Sequence, residues 1–200
     1  MTSKISGLTV GLVILAGALG LGWPETRPAL LHADDSDWDS PHIAPFVTTP
    51  HEVVSRMLEL AEIKQGDVLY DLGSGDGRIV VAAAKKFGIR AVGFEIDPGL
   101  VKDSRQIIKQ AGLERLVEIR EQDIRTVDFS PASVVTMYLY PAANLRLRPV
   151  LMRELKPGSR VISHDFGMGS WKPDRVERLQ DIAGPSRTIY RWRIADPPGR

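Results

Sequence analysis

VLYDLGSGDGRIVVAAA, residues 68–84, decides how the chain is read. An apolar run of strand length ends at Asp71, glycines follow at positions 73, 75 and 77, and Arg78 to Phe87 reads as a helix closed by Gly88. Strand, glycine turn and helix open a doubly wound α/β sheet, in which ligands bind beyond the carboxyl ends of the strands near the switch point. Glycine permits positive φ and lets the backbone approach a ligand without Cβ interference. The G-x-G-x-G spacing is one residue shorter than the dinucleotide fingerprint, which disfavours an NAD-dependent oxidoreductase.

The same alternation extends in both directions. Before the strand, Thr49-Pro50-His51-Glu52 reads as a helix start, with Thr49 as N-cap and Glu52 completing a capping box. Val53, Val54, Met57, Leu58 and Ala61 then form a core-facing stripe to about Ile63. Downstream, strands are expected at Arg90–Glu95, Val117–Glu121, Val134–Leu139 and Arg160–His164. Helices are expected from Pro98, capped by Asp97, to Ala111, and around Asn144–Glu154. Strands alternating with helices specify a mostly parallel sheet covered on both faces. Near the end, Thr188, Tyr190, Trp192 and Ile194 alternate with Ile189, Arg191 and Arg193, the period of a strand with one wetter face at an antiparallel edge.

Three acids fall at three successive strand ends: Asp71, Glu95 and Asp123. A carboxylate at the end of the second strand suits ribose hydroxyls, and Asp123 with Ile124 is placed to meet an adenine, so the set points to an adenosine-bearing ligand. Asp76 and Arg78 read as surface residues.

Together, VLYDLGSGDGRIVVAAA, GFEIDP (residues 93–98) and EQDI (residues 121–124) resemble the seven-stranded S-adenosylmethionine-dependent methyltransferases. The flanking segments PFVTTPHEVVSRMLELA and NLRLRPVLMRELKPGSRVISHDFGMGSW are similar to a small protein-lysine methyltransferase family. Its mitochondrial members act on the ATP synthase c subunit and the adenine nucleotide translocase. The resemblance implies a Rossmann-like seven-stranded sheet, mostly parallel with an antiparallel C-terminal edge, and S-adenosyl-L-methionine as cofactor. Asp71, Gly73, Ser74, Gly75 and Gly77 would surround the methionine part, Glu95 the ribose, and Asp123 with Ile124 the adenine, while Phe46 to Thr49 would close over the cofactor. Tyr140, at the end of the fourth strand, would shape the acceptor channel, and His164-Asp165 would face it as proton acceptor or orienter. The implied acceptor is a lysine side chain of a protein, possible targets including membrane-embedded ones. Tyr140-Pro141 is not the Asn-Pro-Pro-Tyr of adenine methyltransferases, so no nucleic-acid partner is expected.

Composition bounds the rest. The 200 residues hold 26 basic and 25 acidic side chains and no cysteine, which excludes a disulfide scaffold, a thiol nucleophile and thiolate metal sites. His32, His42 and His51 have no metal-ligand spacing, and no metal is expected. Residues 142–200 carry 12 basic and 6 acidic groups, a charge suited to an anionic membrane or an acidic partner.

Ile5 to Pro24 contains no charge, and about 20 helical residues span the roughly 30 Å hydrocarbon layer. Residues 1–24 therefore read as a signal-anchor crossing the membrane through residues 5–23, or as a cleaved signal peptide that would leave the protein exported. Residues 25–44, with Pro24, Pro28, Pro41 and four aspartates in or beside them, read as an extended linker, and residues 45–200 as the methyltransferase domain. By the positive-inside rule, Lys4 ahead of the apolar run and acids behind it place the catalytic part outside the cytoplasm, where S-adenosylmethionine is scarce, which leaves two readings: a single lysine too weak to set the orientation, or an exported domain. Two alternatives stand beside the lysine reading: methylation of a small molecule or lipid headgroup, and a non-catalytic module that binds an adenosyl ligand.

Overall fold

The computed structural model describes Trp38, residues 46–180 and residues 186–196. The expected membrane segment, the linker apart from Trp38, His32 and His42 lie outside the described residues. No described helix is long and apolar enough to cross a membrane.

Seven strands form one sheet: β1 (Val68–Leu72), β2 (Arg90–Glu95), β3 (Val117–Glu121), β4 (Val134–Met137), β5 (Arg160–His164), β6 (Arg175–Leu179) and β7 (Arg187–Arg193). Their spatial order is β3-β2-β1-β4-β5-β7-β6. The first five pair in parallel, and β7 joins β5 and β6 antiparallel. The order reverses between β1 and β4, which is where a ligand crevice is expected.

Helices α1 (His51–Leu60), α2 (Arg78–Phe87) and α3 (Pro98–Gln110) supply Val53, Met57, Ile79, Val80, Val101 and Ile108 to the core on one face. On the other, α4 (Pro141–Glu154) supplies Ala143, Leu147 and Leu151, packed with Phe94, Phe129 and Trp192. Both faces of the parallel strands are thus covered, which is why β1, β2, β4 and β5 are buried along nearly their whole length.

Three local readings are corrected. Thr49 is not the cap of α1: Pro50 holds that position without a side-chain hydrogen bond, the capping box does not form, and the Thr49 hydroxyl turns to His164 instead. The C-terminal strand is not the sheet edge, because β6 lies outside it. β6 escaped notice because Arg175, Glu177 and Arg178 break its alternation, as charges do on edge strands. The wetter face expected of β7 is also largely covered: Ile189 is buried, and Arg191 is buried through ion pairs with Asp174 and Glu62. Trp192 is 1% exposed and its Nε1 donates to the Trp171 carbonyl at 2.8 Å, so these aromatics serve packing.

Candidate functional site

A cavity of about 210 Å³ opens at the carboxyl ends of β1 to β4. The chain builds its floor by hanging the glycine loop from β2. The amides of Gly73 and Ser74 both donate to the Phe94 carbonyl at 2.9 Å, and that of Gly75 donates to Glu95 Oε2 at 2.8 Å. These amides face the protein, so the loop offers a ligand a shaped surface rather than a row of donors. Gly73, Gly75 and Gly77 all have positive φ (71, 55 and 79°). At Gly75 the requirement is double: the dihedral is left-handed, and an added Cβ would stand 2.5 Å from the Phe46 ring above it. Phe46, 52% exposed, roofs the loop from the segment that leads into α1.

The Glu95 carboxylate also accepts from Ile96 N at 2.8 Å and Asp97 N at 3.0 Å through Oε1. A carboxylate has about four lone-pair directions, and three are taken by backbone amides, leaving capacity for a ligand hydroxyl. Asp123 lines the cavity but turns its oxygens to the Arg125 guanidinium, with Oδ1 also accepting from Arg125 N at 2.9 Å. Arg125 hydrogen bonding holds this carboxyl below the usual range against burial. Asp97 caps α3 as expected, Oδ1 accepting from Leu100 N at 2.9 Å.

Asp71 is buried at the cavity wall, with the Thr136 hydroxyl donating to Oδ1 at 2.7 Å. Burial pushes its carboxyl up to about 7; the Thr136 bond opposes this, and the Glu95 and Asp76 carboxylates add to it. Such a group is poised for a cation. Ser74 Oγ, also buried here, has no hydrogen-bond partner among the described residues. A glycine cradle, an orphaned hydroxyl, a spare carboxylate direction at Glu95 and a carboxyl seeking positive charge fit S-adenosylmethionine, whose methionine end carries an ammonium and a sulfonium.

This makes a prediction about pH. A cationic ligand selects ionised Asp71, so binding releases a proton and affinity falls as pH drops below about 7, approaching tenfold per unit at the acid end. Calorimetry with S-adenosylhomocysteine between pH 5.5 and 8 is expected to show this slope, flattened in Asp71→Asn.

Of the residues expected at the site, Thr49, Asp71, Gly73, Ser74, Gly75, Glu95, Asp123 and Ile124 line the cavity. Gly77 does not; it is the left-handed N-cap of α2. Tyr140 does not either, because it occupies the N-cap of α4, while Tyr138 lines the cavity in its place. The reason is the strand end: β4 stops at Met137 rather than Leu139, so Tyr138 is the first residue past it.

His164 and Asp165 stand behind Tyr138. The His164 and Tyr138 rings lie 3.9 Å apart, and the Tyr138 hydroxyl is 3.4 Å from Asp165 Oδ2, which also accepts from Arg187 at 3.0 Å. Asp165 has a positive φ of 59°, with Thr188 N donating to Oδ1 at 2.8 Å. Burial pulls the His164 imidazole down in pKa, outweighing Asp165, so it is neutral at pH 7 and a weak base. Burial and Asp165 raise the Tyr138 phenol, keeping it protonated. Arg78, read as surface, joins the site: Asp76 holds its guanidinium, and its Nη1 donates to the Thr49 carbonyl at 2.7 Å. Among the described residues no acid and histidine cluster could hold a metal.

Comparison with known proteins agrees with this geometry. Residues 71–175 match the ANTKMT methyltransferase domain. A protein-lysine N-methyltransferase of Saccharolobus islandicus (strain REY15A) is 42% identical over 157 residues, covering 78% of this chain and 96% of that protein. The human lysine N-methyltransferase of the ATP synthase c subunit is 39% identical over 155 residues, covering 76% of this chain and 66% of that one. Among solved structures, an RNA methyltransferase from Salinibacter ruber in complex with S-adenosyl-L-homocysteine has 54% identity and a TM-score of 0.71, covering 76% of this chain and 97% of that chain. A cavity built for an adenosyl cation and a match across the strands that build it leave one conclusion: the chain belongs to the ANTKMT methyltransferase domain family, among the S-adenosylmethionine-dependent protein-lysine N-methyltransferases.

Proposed function

We propose that this chain methylates the ε-amine of a lysine on a membrane-associated protein, anchored to that membrane through residues 5–23. The observation that carries the amine is the cluster beyond β4 and β5. There Tyr138 lines the cavity with its ring 6.0 Å from that of Phe166, an aromatic wall suited to the aliphatic arm of a lysine. The names of the curated relatives support lysine, including an adenine nucleotide translocase lysine N-methyltransferase of mouse at 35% identity. The uncharged run from Ile5 to Pro24 and the excess of 12 basic over 6 acidic residues in 142–200 support the membrane.

S-adenosylmethionine supplies an activated methyl group on a good leaving group, so the protein's task is to align a neutral amine. A lysine of pKa about 10.4 costs about 4 to 5 kcal/mol to deprotonate at pH 7. Burial against Tyr138 lowers that cost by disfavouring the ammonium, and a fixed approach lowers the barrier further.

Incubating the protein with methyl-labelled S-adenosylmethionine and membrane extract is expected to label lysine in a membrane protein; absence of label on every protein overturns the reading. A second reading, RNA as acceptor, is favoured by the name of the Salinibacter relative and predicts label in the RNA fraction instead. Label in the organic phase would identify a lipid headgroup. A reporter fused after Arg200 reads on which side of the membrane the domain stands.

A further inference from the structure

The Thr49 hydroxyl lies 3.2 Å from His164 Nδ1. On the other side of the ring, Nε2 is buried and makes no hydrogen bond among the described residues, with Asp165 Oδ2 at 3.4 Å. A neutral imidazole carries its proton on one nitrogen only. A bare lone pair on Nε2 would face a carboxylate oxygen across 3.4 Å and be repelled, whereas an N–H there is attracted. The proton therefore sits on Nε2, Nδ1 is the acceptor, and the hydrogen bond runs from Thr49 Oγ1 to His164. Thr49 has a single hydroxyl proton, so with that proton turned to His164 its oxygen is left with lone pairs only, and the residue lines the cavity.

The rest of Thr49 is fixed as well. Its carbonyl accepts from Arg78, which Asp76 holds in place, and the residue is buried. Its partner His164 ends β5, so Thr49 stands at the β1, β4 and β5 end of the cavity beside Asp71 and Tyr138. Glu95, Asp97, Gln122 and Asp123 line the end over β2 and β3. The ligand's reacting end belongs on the Thr49 side, because the adenosine-binding acids are on the other.

We propose that Thr49 Oγ1 is a fixed hydrogen-bond acceptor for an N–H of the incoming amine. His164 and Asp165 are positioning residues that keep the hydroxyl proton turned away from the chamber. The inference rests on the amine-acceptor reading above and deepens it: an oxygen that only accepts receives an amine and rejects a carboxylate or another anion, which would meet its lone pairs.

Two ligands test this without an identified acceptor. Sinefungin carries an amine where S-adenosylmethionine carries the transferable methyl, and S-adenosylhomocysteine carries nothing there. In calorimetry the wild-type protein is expected to prefer sinefungin. Thr49→Val is expected to reduce that preference about tenfold or more, the size of a hydrogen bond to a charged group, with S-adenosylhomocysteine affinity changed less than about twofold. Thr49→Ser, which keeps the hydroxyl, is expected to retain the preference. Nitrogen-15 NMR of labelled histidine is expected to show His164 as the neutral Nε2–H tautomer.

Equal weakening of both ligands in Thr49→Val would overturn the proposal, since the hydroxyl would then hold their shared methionine part. An Nδ1-protonated His164 would overturn it as well. Failure of the lysine reading is seen separately, as label outside protein while the ligand preference persists.

Discussion

Glu95→Ala is expected to weaken S-adenosylmethionine binding by at least about 100-fold and to abolish methyl transfer. The side chain takes hydrogen bonds from the amides of Gly75, Ile96 and Asp97, and through the first of these it ties β2 to the apex of the glycine loop. Removing it leaves three amides without partners, at about 1–3 kcal/mol for each that stays buried, and frees a loop whose positive dihedrals need support. Equilibrium binding of labelled cofactor measures the first effect, and thermal unfolding separates it from global loss. Glu95→Gln retains an acceptor oxygen and is expected to fall between the two. A variant that binds as tightly as the wild type would show that the loop holds itself.

Asp67→Ala is expected to cost about 3–5 kcal/mol of stability, because it strands a buried guanidinium at the opposite end of the sheet. Asp67 receives Arg160, the Ser133 hydroxyl at 2.7 Å and the Lys64 amide at 2.7 Å. Arg160 continues to the Ala61 carbonyl at 2.9 Å, tying the end of α1 to the starts of β1 and β5. At about 2–4 °C per kcal/mol for a domain of this size, the melting temperature drops by on the order of 10 °C. Asp67→Ala combined with Arg160→Leu is expected to recover much of the loss, since no buried charge is then left unpaired. Burial opposes ionisation of Asp67, but Arg160, Lys64 and Ser133 hold the carboxyl below the usual range. Its contribution is therefore full above the unfolded pKa of about 3.9 and is lost as pH falls through the lower folded value.

The parallel strands could be located from sequence because each is a short stretch with an apolar run or an apolar alternation, set between helices whose ends glycine or a cap marks. Asp97 with Pro98 and Gly88 after Phe87 mark helix ends that the structure reproduces. β6 could not be located this way, since an edge strand with three charges has no burial to impose a pattern. The cofactor side of the site was legible because most of its residues are consecutive: the glycines between Asp71 and Gly77 permit the tight turn that β2 then holds, and Glu95 follows from its place at a strand end. The acceptor side was not, because it depends on where β4 releases the chain, which moved the aromatic from Tyr140 to Tyr138.

By itself, the sequence determined the sheet class, the switch point and the strand ends from which Asp71, Glu95 and Asp123 line the cavity. All of these follow from periodicity and glycine placement over a few residues. Only the tertiary structure decided what Thr49, Arg78, His164 and Asp165 do. Thr49 and His164 are 115 positions apart and meet only because β5 lies beside β4 beneath the start of α1. A cap motif reads identically whether its hydroxyl bonds its own helix or a histidine across the fold, and burial of that histidine beside a carboxylate made the choice.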